Sequence, residues 1–160
     1  MKRNTLVAAY VVATLTTALV TVACATAPEA TLVRATNALT PAQEVPPNGS
    51  SGSGVIVATL DKEKLLLTWT ITYSGMSGPV TAGHFHGPAG VGANAGVVLP
   101  FTSTLDSPIE GSATLTGAQL ADLLAGKWYV NLHTAGNPGG EIRGQLNGIS
   151  ALRGLINTLR

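Results

Sequence analysis

The chain has 160 residues, with nine basic and eight acidic side chains, nineteen glycines and nine prolines. That length supports one domain with a real core and is short for two. The sparse charge excludes the basic footprint of a nucleic-acid binder, and the glycine and proline content argues against a helical bundle and for short strands joined by turns.

Lys2 and Arg3 precede an apolar run from Leu6 to Ala23, and residues 1–24 read as a signal peptide. Without Lys2 and Arg3 the chain keeps seven basic residues against eight acidic ones, so it is close to neutral. Small residues lead into Cys24, the only cysteine, which rules out an internal disulfide and makes Cys24 the candidate lipidation residue of a bacterial lipoprotein. Thr21 stands where a lipobox has a large aliphatic residue. Ordinary cleavage after Ala25 and an uncleaved anchor helix are the alternatives. All three export the domain, to the cell envelope as a lipoprotein or to the periplasm or exterior, and the membrane is met through the lipid or signal anchor.

Residues 25–34 form a tether that passes into a strand at about Leu32 to Leu39. A turn-rich loop follows, from Pro41 through Asn48-Gly49-Ser50 to Gly54. Strands are expected from Gly54 to Leu60 and from Leu65 to Tyr73. In the second, Leu65, Leu67, Trp69, Ile71 and Tyr73 alternate with Thr68, Thr70 and Thr72. The next strand contains His84-Phe85-His86, so its two histidines share one face and Phe85 takes the other. The glycine-rich segment Gly87 to Gly96 reads as a turn; it lacks the Gly-Lys-Ser/Thr ending of a phosphate loop and leads into a strand.

Strands at Val97 to Phe101 and Ile109 to Leu115 come next. Gly117 to Ala125 reads as one short helix, capped by Thr116 and stopped by Gly126. Lys127 to Thr134 and Glu141 to Leu146 are the last strands. Residues 35–147 thus make one antiparallel β-sandwich with a single helix. The tail 148–160 spaces Ile149, Leu152, Leu155, Ile156 and Leu159 as a helix would.

The third histidine, His133, lies in the strand Trp128-Tyr129-Val130-Asn131-Leu132-His133-Thr134. With Val130 and Leu132 in the core, His133 faces outward beside Asn131; Glu141, Arg143 and Gln145 do the same on the following strand. His84, His86 and His133 are therefore a candidate metal set. Imidazole suits copper and zinc, and ligands on strands are held rigidly. Met76 is a conceivable soft fourth ligand. The bland reading is that the histidines and a Glu141–Arg143 ion pair tie glycine-rich loops to the sandwich. Enzyme readings find less support: there is no Gly-x-Ser-x-Gly elbow, and the only cysteine is in the leader.

Four ordered segments resemble the CHRD domain, first noted in chordin: Leu39 to Pro47, His84 to Pro88, Gly126 to Thr134 and Gly139 to Leu146. The resemblance implies a small extracytoplasmic β-sandwich, Greek-key-like and superoxide-dismutase-like or immunoglobulin-like in outline. The His-x-His strand with a later strand histidine is also similar, in architecture and spacing only, to the copper strands of copper-zinc superoxide dismutase. Three histidines cannot serve two metals, so a zinc half has no ligands here. The reading adopted is an exported binding module holding a copper ion, with zinc as the alternative metal. A metal-free adhesion domain meeting an envelope protein partner, and a copper-dependent redox enzyme in which Arg143 attracts a small anion, stand beside it.

Overall fold

The structure, a computed structural model, describes residues 31–149 as two packed four-stranded antiparallel sheets. The first has the order β1 (Leu32–Leu39), β2 (Ser53–Asp61), β3 (Leu66–Ser74), β6 (Ile109–Thr114). The second has the order β5 (Val97–Pro100), β4 (Val80–His86), β7 (Tyr129–Thr134), β8 (Ile142–Gln145). The helix α1 spans Gly117–Leu124. It opens with the expected cap: Gln119 N–H donates to Thr116 Oγ1 at 3.2 Å, and Thr116 N–H donates back to Gln119 Oε1 at 2.8 Å. Gly126 ends it with a φ of +69°, a conformation that costs glycine least.

Alternation dictates the core. Leu67, Trp69 and Ile71 of β3 are buried together with Ile56, Ala58 and Leu60 of β2, against Phe85, Val130, Leu132 and Ile142 from the second sheet. Trp69 meets Phe85 edge-on at 4.9 Å between centroids and stacks on Phe101 at 5.5 Å. Gly83 leaves room for this cluster, since a Cβ there would lie 2.6 Å from Phe101. Leu65, expected on the core face of β3, instead precedes the strand in a turn with a φ of +54°.

After β1 the chain crosses to the second sheet. Thr40 and Arg143 exchange backbone hydrogen bonds of 2.9 and 3.1 Å, which covers part of the free edge of β8. The candidate signal segment with Cys24, the tether up to residue 30 and the tail beyond Ile149 lie outside the described residues. Among the described residues no helix is long and apolar enough to cross a membrane.

Candidate metal centre

The side chains of β4 and β7 that point away from the core supply the centre. These strands are neighbours, with His84 opposite Asn131, His86 opposite Tyr129 and Ala82 opposite His133. Val130 and Leu132 are fully buried in the core, so alternation puts Tyr129, Asn131 and His133 on the same face as His84 and His86. The three histidines thus come together from residues 49 apart in the chain. One ring nitrogen from each lies within 4.8 Å of the other two, a spacing that could hold a metal ion.

Outer hydrogen bonds fix which nitrogens face inward. His86 Nδ1 lies 3.0 Å from the Ala95 carbonyl, and His133 Nδ1 lies 3.0 Å from that of Pro138. A carbonyl only accepts, so each Nδ1 carries the proton and donates it, which leaves each Nε2 with a free lone pair. His86 Nε2 is buried without a partner. His133 Nε2 sits 3.2 Å from His84 Nδ1 and 3.0 Å from Asn131 Oδ1. This is the pattern of metal-ligating histidines, whose second nitrogen is anchored by a carbonyl or carboxylate.

Burial lowers the pKa of His84 below its ordinary value, and the neighbouring His133 and His86 add to that. Burial also lowers His133, opposed by its bond to Pro138 and aided by His86. Both effects favour the neutral, ligand-competent imidazole.

The face is polar, yet it is not open as the sequence implies. The segment 87–96 folds over it and is pinned there. Ala95 N–H donates to Tyr129 Oη at 3.2 Å, while His86 stacks on the Tyr129 ring at 4.8 Å with planes 2° apart. From the far side, Arg143 lays its guanidinium 3.4 Å from the Tyr129 centroid. Its Nη1 donates to Asn94 Oδ1 at 2.9 Å and its Nη2 to the Ala93 carbonyl at 2.7 Å. Arg143 is therefore a loop clamp, committed to protein acceptors, and the expected anion-attracting role does not fit it. Gln145 does similar work, donating to the carbonyls of Ala89 and Gly126, both at 2.9 Å.

Two further expectations are corrected. Met76 is no ligand: it packs against the core, with its sulfur close to Gly52. Glu141 does not pair with Arg143. It accepts from Ser50 Oγ, from Ser77 N–H and Oγ, and in a very short bond from Thr134 Oγ1. Burial alone would raise its pKa, but these donors outweigh burial and hold it at about 2.

Sequence reasoning gave Glu44 only a place in a motif. It is buried beside Arg143 and Asn131, and burial raises its pKa to about 7 against the opposing pull of both. The signal was the acidic residue inside Gln43-Glu44-Val45-Pro46-Pro47, a polar segment next to strands with buried polar faces. Gly140 abuts this carboxyl: its φ is +131°, and a Cβ there would collide with Glu44 Oε1.

The family model of the CHRD domain aligns with residues 35–146, most of the chain. No curated protein and no solved structure matches it.

Proposed function

The chain belongs to the CHRD domain family, and on that premise we propose that it is an exported module that binds a copper ion through His84 Nδ1, His86 Nε2 and His133 Nε2. The observation that carries this reading is the buried, unpartnered Nε2 of His86, aimed away from the carbonyl that anchors its other nitrogen. A buried polar atom without a partner is costly, and coordination of a cation removes that cost. Imidazole nitrogens alone suit copper and zinc alike; copper is preferred because the order of divalent affinities peaks there.

Export through the leader, with lipidation at Cys24, would place the module in the cell envelope, where it would sequester or carry copper. No enzymatic turnover is part of this proposal. The reading is tested by titrating the purified full chain with Cu(II) and with Zn(II), beside a His84→Ala/His86→Ala variant. Tight one-to-one Cu(II) binding that the variant loses supports it. No binding by the unaltered chain sinks it, and the carbonyl bonds of His86 and His133 then leave the histidines as loop ties in an interaction domain.

A further inference from the structure

Among the described residues, Asn131 is the one other side chain hydrogen-bonded to a nitrogen of these histidines. It sits opposite His84 in the register and two residues before His133, and it is 3% exposed. Its Oδ1 lies 3.0 Å from His133 Nε2. With the His133 proton on Nδ1, where the Pro138 carbonyl holds it, these two atoms are both acceptors. Two acceptors at that distance repel unless something positive lies between them. Rotating the amide would present Nδ2 instead, but Nδ2 lies on the other side of the residue, beside the buried Glu44 carboxyl, where both crowd the place a Cβ on Gly140 would take. Oδ1 is the atom left facing the histidines.

The spacing has a meaning for coordination. Two donors at right angles, each about 2.1 Å from a metal, lie about 3.0 Å apart, whereas tetrahedral donors lie about 3.4 Å apart. The pair Asn131 Oδ1–His133 Nε2 at 3.0 Å falls at the right-angled value, and His84 Nδ1–His133 Nε2 at 3.2 Å lies midway between the two. A tetragonal site with nitrogen and oxygen donors is the preference of Cu(II).

We propose that Asn131 Oδ1 is the fourth donor of the centre, completing a three-nitrogen, one-oxygen set that selects Cu(II) over zinc. This rests on the metal reading above and extends it to a residue outside the histidine set.

The test is electron paramagnetic resonance of the Cu(II)-loaded full chain, with affinity measured by competition against a chelator, for the unaltered protein and for Asn131→Leu, Asn131→Asp and His86→Ala. Asn131→Leu is expected to keep one-to-one binding, lose at least tenfold in affinity and show altered parallel g and copper hyperfine values. Asn131→Asp puts a charged oxygen in the same place, so its spectrum should shift while its affinity holds or rises. A structural role alone would not produce that shift in a folded variant. If Asn131→Leu fails to fold, Asn131→Asp decides. Spectra of the folded Asn131 variants superposable on that of the unaltered chain, with binding still lost in His86→Ala, would overturn the fourth donor and leave the three-histidine site standing. Absence of Cu(II) binding by the unaltered chain overturns both.

Discussion

Three titratable groups at the polar face pull stability in opposite directions, and the signs separate them. His84 and His133 have depressed pKa values, so their contribution is present above the ordinary value of 6.5 and is lost as pH falls through the lower folded values. Glu44 has a raised one, from 4.5 to about 7, so its contribution is full below pH 4.5 and is lost as pH rises through about 7. The metal-free protein therefore shows a flattened profile that hides both effects, and single variants expose them. Glu44→Gln, which keeps the shape and removes the charge, should gain on the unaltered chain by about 1–2 kcal/mol between pH 4.5 and 8, after allowance for solvent near the group. Urea denaturation across that range checks it; a difference that stays constant, or runs the other way, means Glu44 is not held neutral by its burial. Glu141 has the opposite character, being ionised by the hydroxyls around it. Its contribution is present above the ordinary 4.5 and disappears only as pH falls through about 2. Glu141→Gln should cost about 2–4 kcal/mol at neutral pH, because three hydroxyls and a backbone N–H lose a charged acceptor. A loss below half a kcal/mol by thermal or urea unfolding would contradict that.

At the scale of elements, the segment 87–96 owes its place to the strand beneath it. Arg143 reaches from β8 to Asn94 and Ala93, Tyr129 reaches from β7 to Ala95, and Asn94 Nδ2 donates to the Val45 carbonyl at 2.9 Å. A guanidinium serves two acceptors and an aromatic face at once; a lysine ammonium is a point charge without that fork. Arg143→Lys is therefore expected to behave nearly as Arg143→Ala does. Each should lose about 2–4 kcal/mol, with faster amide exchange confined to residues 87–96. Unchanged exchange there would show that the segment holds itself. The same segment marks the limit of what was legible in the sequence. Alternation in Leu67 to Ile71 and in Tyr129 to His133 placed core and polar faces correctly, because side-chain period depends only on local backbone. Thr116 and Gly126 marked the helix for the same reason. The covering of the polar face was not legible, since it depends on contacts between residues about fifty positions apart, as in Arg143 with Asn94. Glycines in 87–96 read as a bare turn because the side chains that hold it belong to other elements. Arg143 and Glu141 looked like partners two positions apart on one strand, yet each found a better geometry elsewhere.

For the whole molecule, the candidate centre joins two strands of one sheet and the segments that cover them, so the proposed metal binding would be linked to folding. His84 and His86 lie on β4, His133 on β7, and the carbonyls that anchor two of the rings belong to the connections at Ala95 and Pro138. An unfolded chain keeps the His-x-His pair but separates it from His133, so it binds the ion more weakly, and the difference appears as stability. At a free Cu(II) concentration a hundred times the dissociation constant, that difference is about 2.7 kcal/mol. For a domain of this size it raises the unfolding midpoint by roughly 10 °C. The expected result is a midpoint that climbs with the logarithm of free Cu(II) in the unaltered chain and stays flat in His133→Ala. Simple capture by the His84–His86 pair, which the unfolded chain retains, would leave the midpoint flat in the unaltered chain as well. If His133→Ala shows the same climb, the folded chain holds the ion without His133, and that histidine serves the fold without serving the metal.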